Sequence, residues 1–128
     1  MNLLSLRGAI TADDNTTEAI DRATLELMQV LIEENHLEEE QVVNVLFTAT
    51  ADLTARYPSV VLRSVLGWRQ TAILNFEEKV VTGQLPLCIR VLITLQTDQG
   101  KKSLRHAYLK GASVLRPDWT PEQEDSRQ

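Results

Sequence analysis

Three arginines lie inside short apolar runs whose composition is typical of β-strands, namely Arg7, Arg90 and Arg116. A guanidinium stays charged at any working pH, and burying it without a partner is very costly. Few carboxylates lie near these runs in the sequence. We therefore predict that the arginines bind an external anion. The chemistry indicated is recognition of a small, multiply anionic molecule, because arginine can hold a carboxylate through two parallel hydrogen bonds.

The charge of the chain is unevenly distributed. The net charge is −5, yet residues 18–40 carry −7 and residues 54–116 carry +7. The acidic segment is typical of a solvated helix face. Nine arginines stand against four lysines, a ratio that favours bidentate binding of anions over simple solubility. The negative total argues against nucleic acid as the main partner, because duplex binding usually requires a basic surface.

The compartment and the domain count follow from simpler features. The single cysteine, Cys88, excludes an intrachain disulfide and fits a reducing compartment. No apolar run is long enough to span a bilayer, and the N-terminus carries no secretion signal. We expect a cytoplasmic protein with one domain over residues 1–118 and a polar, flexible tail over residues 119–128.

Two predicted strands place an arginine on one face and apolar residues on the other. In residues 3–10, Arg7 alternates with apolar residues of the opposite face. Ile89–Thr97 is the strongest strand in the chain, and Arg90 shares a face with Cys88. Both faces of that strand are largely apolar, which indicates a central strand covered on both sides.

A long amphipathic helix should cover one side of these strands. Asn15 followed by Glu18 predicts the helix start, with Asn15 as the cap. Apolar residues then recur at helical spacing until the predicted end near Asn35 and His36. Because one helix covers one face of a sheet, we expect the face that carries Arg7 and Arg90 to be covered by a second copy of the chain.

The remaining segments complete a single α+β domain. They are predicted as a strand over Val42–Thr48, a loop over Asp52–Pro58, a short helical segment over Pro58–Leu66, a strand over Trp68–Asn75, an ordered loop over Phe76–Pro86, a short strand or turn over His106–Leu109 and a last strand over Ala112–Leu115.

Short motifs in a particular order carry a resemblance to a known family. They are Arg7-Gly-Ala-Ile-Thr11, Glu33-Glu-Asn-His36, Asp52-Leu53, Tyr57-Pro58, Gly67-Trp68, Glu78 with Gly83, Cys88-Ile-Arg-Val91, Gln96-Thr-Asp98, Arg105-His-Ala-Tyr-Leu109 and Val114-Leu-Arg-Pro-Asp118. None is specific alone. In this order and spacing, over residues 3–119, the chain resembles the monofunctional chorismate mutases of the trimeric, pseudo-α/β-barrel class.

The resemblance implies a fold, an assembly and a reaction. Each subunit would contribute a mixed β-sheet and one long helix to a homotrimer, with active sites in the clefts between subunits. The reaction would be the isomerisation of chorismate to prephenate on the shikimate route to aromatic amino acids. It would need no cofactor and no metal, and its only small-molecule partner would be the substrate.

The resemblance also implies roles for individual residues. Arg90 would donate to the ether oxygen and to a carboxylate of the substrate, and Arg7 would hold a carboxylate. Tyr108 would add a hydrogen bond, while Glu78 would accept from the ring hydroxyl and favour positive charge on the ring. Further substrate contacts are expected from Tyr57, Arg63, Leu74, Asn75, Phe76, Glu77 and Arg116.

Several residues depart from the pattern of the family. Asn75 stands where a small polar residue, often cysteine, precedes the catalytic glutamate, and its amide could serve the ring hydroxyl. The spacing to Gly83 selects Glu78 over Glu77 as the functional carboxylate. Lys79 replaces an apolar residue, and Val60 stands where a lysine can occur. We expect these differences to affect fine tuning rather than the reaction class.

Structural roles remain open as alternatives. Arg90 could form an internal ion pair with Glu77 or Glu78, and Tyr108 could be an ordinary half-buried tyrosine. Arg63 and Arg116 could pair across a subunit boundary. Cys88 fits a small core residue better than a nucleophile, and two isolated histidines do not make a metal site. The alternative functions are a trimeric deaminase of imine or enamine intermediates and a non-catalytic, ligand-binding trimer.

Overall fold

A mixed five-stranded sheet with one long helix on one face forms the framework of the protein. The computed structural model describes residues 1–115 of the 128 in the chain. The helices and strands are β1 (Asn2–Thr11), α1 (Thr17–Asn35), β2 (Val42–Ala49), α2 (Val60–Ser64), β3 (Ala72–Glu77), β4 (Cys88–Thr97) and β5 (Ala107–Leu109). The predicted α+β class, with a mixed sheet and one long helix, is confirmed.

The order of the strands is β3-β2-β4-β1-β5. Strand β4 runs antiparallel to β1 and β2, whereas the edge strands β3 and β5 run parallel to β2 and β1 respectively. The central position predicted for the strand that contains Arg90 is therefore confirmed. Both arginine-bearing strands, β1 and β4, lie side by side over their whole length.

Helix α1 begins one residue later than the sequence pattern predicts. The hydroxyl of Thr16 accepts from the backbone N–H of Ala19 at 3.1 Å, so Thr16 is the cap. The side chain of Asn15 instead accepts from the backbone N–H groups of Thr54 and Ala55. Asn15 thus secures the loop after β2, a long-range contact that local spacing cannot reveal.

The core lies between α1 and the sheet. Buried side chains from both layers meet there, including Leu6, Ile10, Leu27, Leu31 and Phe47. The helix ends as predicted near Asn35, and His36 takes a left-handed conformation with φ of 52°. No helix among residues 1–115 is both long and apolar enough to cross a membrane.

Gly8 allows the helix to approach β1 directly beside Arg7. A Cβ at this position would lie 2.9 Å from Cδ1 of Leu31 and 3.1 Å from Cδ1 of Leu27. Any larger residue would push α1 away from the strand, because packed cores accommodate extra atoms poorly. The glycine therefore lets β1 pack closely on α1, while Arg7 points to the opposite face of the sheet.

Strand β3 is displaced from its predicted position. The prediction placed it at Trp68–Asn75, whereas it spans Ala72–Glu77. Trp68 is buried in the core and follows a turn at Gly67, where φ is 72°. Phe76 and Glu77, predicted to open a loop, pair with the last residues of β2. The loop therefore begins at Glu78, and the register with β2 decides this boundary.

The predicted last strand is wrong. Residues Lys110–Val114 form a 3₁₀ helix, and the fifth strand is Ala107–Leu109, the segment predicted as a strand or a turn. Lys110 adopts a left-handed conformation with φ of 52°, which ends β5. The N–H of Gly111 then donates to the hydroxyl of Thr11 at 3.0 Å. The predicted boundary at residue 118 and the tail beyond it lie outside the described residues.

Candidate active site

A row of side chains crosses all five strands on the face opposite α1. In register, Phe76 of β3 lies beside Thr48 of β2, and Thr48 lies beside Arg90 of β4. Arg90 pairs with Ala9 of β1, which pairs with Tyr108 of β5. Ala9 itself is fully buried, in a small cluster with Cys88, Tyr108 and Ala112. The strand order, not sequence proximity, creates this arrangement.

A cavity of about 430 Å³ opens over this row. Its polar lining comes from Arg7, Thr48, Arg90 and Tyr108, and its apolar lining includes Leu46, Phe76 and Leu92. The volume is typical of sites for small molecules, as is the combination of apolar walls with a few polar groups. Arg7 and Arg90 thus lie on one cavity, on the predicted faces of β1 and β4.

Arg90 combines an ion pair with an unsatisfied donor. Its Nε lies 3.3 Å from Oε2 of Glu78, and 42% of its side chain is exposed. Within residues 1–115, however, no acceptor is aligned with the buried Nε–H. The alternative of an internal ion pair is therefore realised with Glu78, although the pair leaves the cavity open. A buried donor without an aligned acceptor is the arrangement expected when a ligand oxygen completes the site.

Glu78 is held close to Arg90 by two contacts with β2. Its backbone N–H donates to the carbonyl of Ala49 at 2.9 Å, which extends the pairing beyond β3. The hydroxyl of Thr48 donates to Oε2 of Glu78 at 2.8 Å. Only 19% of the Glu78 side chain is exposed. The carboxylate is therefore placed beside the cavity rather than in open solvent.

A compact hydrogen-bond network fixes the start of β4, two residues before Arg90. The N–H of Cys88 donates to the hydroxyl of Thr50 at 3.0 Å, and that hydroxyl donates to Asp52. The other carboxylate oxygen of Asp52 accepts from the N–H of Leu87 at 2.9 Å. Leu87 is held in a left-handed conformation with φ of 53°, a strained state that needs such support.

The surroundings of the Cys88 thiol disfavour its ionised form. Burial raises its pKa to about 11, and the negative charges of Glu78 and Asp52 act in the same direction, partly opposed by Arg90. Because the thiolate is the reactive form, a raised pKa argues against a role as nucleophile at physiological pH. Its packing with Ala9, Tyr108 and Ala112 agrees with the prediction of a small core residue. No three His, Cys, Asp or Glu side chains of residues 1–115 form a cluster that could hold a metal ion.

Other predicted substrate contacts lie away from this cavity. The amide nitrogen of Asn75 donates to the hydroxyl of Ser59 at 2.8 Å, so this side chain faces α2. Arg63 lines a second cavity of about 460 Å³, together with Arg69 and Ile73. Asn75 and Arg63 therefore belong to a different part of the subunit surface from Arg90.

The remaining predicted residues lie partly at the cavity of Arg90 and partly elsewhere on the subunit surface. Phe76 lines the cavity of Arg90, and Leu74 lies on the same face of the sheet with 58% of its surface exposed. Tyr57 is 69% exposed, and Glu77 is exposed at the end of β3. Arg116 lies outside the described residues. Within residues 1–115, one chain thus brings together Arg7, Arg90, Glu78, Tyr108 and Phe76, whereas Tyr57, Arg63 and Asn75 lie elsewhere.

Sequence reasoning missed the groups that support this site. Thr48 was only part of a predicted strand, and Asp52 belonged to a predicted loop and to one motif of the resemblance, without an assigned role. Neither residue type is unusual in such a segment. Their contacts join residues that are 30 or more positions apart, so only the strand register could have revealed them.

Known proteins with similar sequences identify the family of this chain. A sequence model described as chorismate mutase type I matches residues 3–119. Chorismate mutase AroH of Bacillus subtilis is 42% identical over 118 residues, which cover 92% of this chain and 93% of that protein. The AroH of Thermus thermophilus is 41% identical over 114 residues, covering 88% of this chain and 93% of the relative.

A solved structure extends the similarity to three dimensions. The chorismate mutase of Clostridium thermocellum superimposes with a TM-score of 0.84 and 40% sequence identity, over 87% of this chain and 98% of that one. The family match covers both arginine-bearing strands and the whole row of side chains described above. This chain belongs to the chorismate mutase type I family.

Proposed function

We propose that this chain catalyses the isomerisation of chorismate to prephenate in aromatic amino acid biosynthesis. The observation that carries the proposal is the cavity that Arg7, Arg90 and Tyr108 share, with an unsatisfied Nε–H on Arg90. Chorismate has two carboxylates, a ring hydroxyl and an enolpyruvyl ether. Two guanidinium groups and a phenol are suitable partners for such a molecule.

The reaction requires positioning and electrostatics rather than acid–base chemistry. One carbon–oxygen bond breaks while one carbon–carbon bond forms, so no proton, electron or leaving group is exchanged. Negative charge grows on the ether oxygen, and the ring fragment becomes electron-poor. A preorganised site accelerates such a step by holding the compact conformer and by placing fixed charge where charge develops.

The proposed roles follow from this charge distribution. Arg90 donates to the ether oxygen and to a carboxylate, and Arg7 holds a carboxylate. Tyr108 supplies a further hydrogen bond. Glu78 accepts from the ring hydroxyl and favours the positive ring. The ion pair between Arg90 and Glu78 supports these roles, since it keeps both charges beside the cavity before substrate arrives.

We propose a homotrimer whose active sites lie between neighbouring subunits. Exposed apolar side chains on the face opposite α1 support this assembly, including Leu3, Leu74 and Phe76. An apolar surface of this kind is typical of an interface. In the assembly, Tyr57, Arg63, Asn75 and their neighbours would come from one subunit and Arg90 from the next, while Leu74, Glu77 and Arg116 would add contacts. We also propose a cytoplasmic location, which the single buried thiol of Cys88 supports.

The purified protein is expected to convert chorismate to prephenate without an added metal or cofactor. Loss of chorismate is followed by its ultraviolet absorbance, and prephenate is identified by chromatography. The rate should saturate with chorismate and exceed the uncatalysed reaction by at least about 10⁶-fold. Tight prephenate binding without turnover would instead favour a ligand-binding trimer. Turnover of an imine or enamine, with no loss of chorismate, would favour the deaminase alternative.

Hybrid assemblies test the shared site. Arg90→Ala and Arg63→Glu are each expected to inactivate the homotrimer. Each substitution removes the arginine that one of the two neighbouring subunits contributes to every cleft. Co-expression with two different affinity tags gives mixed trimers, in which about a quarter of the clefts combine two intact sides if subunits assemble at random. Activity near a quarter of the wild-type value supports sites between subunits. Mixed trimers as inactive as the parents would mean that each site lies within one chain.

A further inference from the structure

The hydroxyl of Thr48 is the only hydrogen-bond donor to the carboxylate of Glu78 within the described part of the chain. Oγ1 of Thr48 lies 2.8 Å from Oε2 of Glu78. The guanidinium of Arg90 reaches the same oxygen at 3.3 Å, but its Nε–H is not aligned for a hydrogen bond. The orientation of the carboxylate therefore depends on a residue of β2.

The position of Thr48 suits this role. It stands between Phe76 and Arg90 in the row that crosses the sheet, and it lines the same cavity. Glu78 is the first residue after β3. The chain is held by strand pairing before Glu78 but continues as a loop after it, so β3 alone does not fix the side chain. The hydrogen bond from Thr48, which lies within the sheet, holds the carboxylate in one orientation, and the loop alone does not do this.

The contact matters most when substrate is bound. If Arg90 turns toward the ether oxygen, Glu78 loses its cationic neighbour. The hydroxyl of Thr48 then retains Oε2, which leaves Oε1 for the ring hydroxyl. Hydrogen bonds to a charged group are stronger than those between neutral groups, so the threonine can hold the carboxylate in place through the reaction.

We propose that Thr48 is a positioning residue that orients the Glu78 carboxylate toward the substrate through a hydrogen bond from its hydroxyl. This inference rests on the proposed chorismate mutase function. It adds a residue from β2 to a site whose catalytic groups come from β1, β4, β5 and the end of β3. The rival explanation is that Thr48 serves the strand only, as a β-branched residue on a half-buried face.

Two substitutions separate these explanations. Thr48→Val keeps the shape and the β-branch but removes the hydroxyl, so it should lower kcat about tenfold while KM for chorismate and the melting temperature change little. Thr48→Ser removes only the methyl group and should restore kcat to within about threefold of wild type. A strand-only role predicts the opposite order, because valine favours strands more than serine does.

Thr24→Val is the matched control. The hydroxyl of Thr24 donates to the carbonyl of Ile20 within α1 at 2.8 Å, and the residue is fully buried. The substitution removes the same atoms far from the cavity, so kcat should stay at the wild-type value. An equal loss of kcat in this variant would attribute the effect of Thr48→Val to general weakening of the fold.

A double-mutant cycle tests whether Thr48 acts through Glu78. In a Glu78→Ala background, where the carboxylate that accepts from Thr48 is absent, Thr48→Val should change kcat by less than about twofold, because the two substitutions interrupt one interaction. A full tenfold loss in that background would overturn the proposal. Unchanged kcat for Thr48→Val in the wild-type background would also overturn it.

Crystal structures of wild type and Thr48→Val test the placement without turnover. The Glu78 carboxylate should leave its position beside β2 in the variant, whereas an unchanged carboxylate would contradict the inference. If wild type fails to convert chorismate, the proposed function fails by itself. The structural comparison still decides whether Thr48 orients Glu78.

Discussion

Arg90→Lys should lower kcat by about 10²–10³-fold although the positive charge is retained. Lysine supplies a point charge in place of the planar guanidinium, so it cannot donate to the ether oxygen and to a carboxylate at the same time. Its single ammonium also has a nearby competitor, since Glu78 lies within ion-pair distance of Arg90. We expect the ammonium to remain with Glu78, leaving the developing charge on the oxygen without a donor.

The measurement is steady-state turnover of chorismate, with the melting temperature recorded for each variant. Arg22→Lys is the matched control, because Arg22 is exposed on α1 and the chemical change is the same. It should leave kcat unaltered. A loss below tenfold for Arg90→Lys, in a protein that melts like wild type, would remove Arg90 from the central role.

The alternation along β1 and β4 could be predicted because it needs only the twofold period of a strand. That period placed Arg7 and Arg90 on one face and the core residues on the other, and the structure confirms both assignments. The same period could have corrected one expectation. Neighbours in a strand face opposite sides, so Asn75 and Phe76 cannot both meet one cavity of a single chain. In the structure, Asn75 bonds to Ser59, the residue before α2, while Phe76 lines the cavity with Arg90.

Strand register could not be predicted, and the rest of the site depends on it. Glu78 approaches Arg90 because β3 runs parallel to β2 in a register that places Phe76 beside Thr48. A shift by one residue would turn Phe76 to the other face. Long-range contacts set this register, such as those of Glu39 with the backbone of Gln70 and Thr71 before β3.

Two small residues next to Arg7 determine how closely β1 packs on its two faces. Ala9 is fully buried between Arg90 and Tyr108 in the row, and Gly8 lets α1 pack closely beneath them. A larger residue at position 8 would meet Leu27 and Leu31 of α1, and a larger one at position 9 would disturb the buried cluster around Tyr108. The resemblance in the sequence included both residues, but their purpose becomes clear only when three strands are aligned.

Glu78→Gln should lower kcat by about 10²-fold with a much smaller change in KM. Glutamine keeps the length of the side chain, and its carbonyl oxygen can still accept from Thr48 and from the ring hydroxyl. Only the negative charge is lost. If that charge favours the electron-poor ring in the transition state, its removal affects the chemical step more than substrate binding. Glu33→Gln makes the same chemical change on the exposed face of α1 and should leave both constants unaltered.

The direction of the change distinguishes two roles for Glu78. If this carboxylate only neutralised Arg90 in the empty site, its removal would free the guanidinium for the dianionic substrate, so KM would fall and kcat would stay the same or rise. If it acts on the ring, kcat falls even though Arg90 has lost a competitor. Steady-state kinetics of the single variant separate these outcomes. A lower KM with unchanged kcat would mean that Glu78 only neutralises Arg90 in the empty site and does not take part in the reaction.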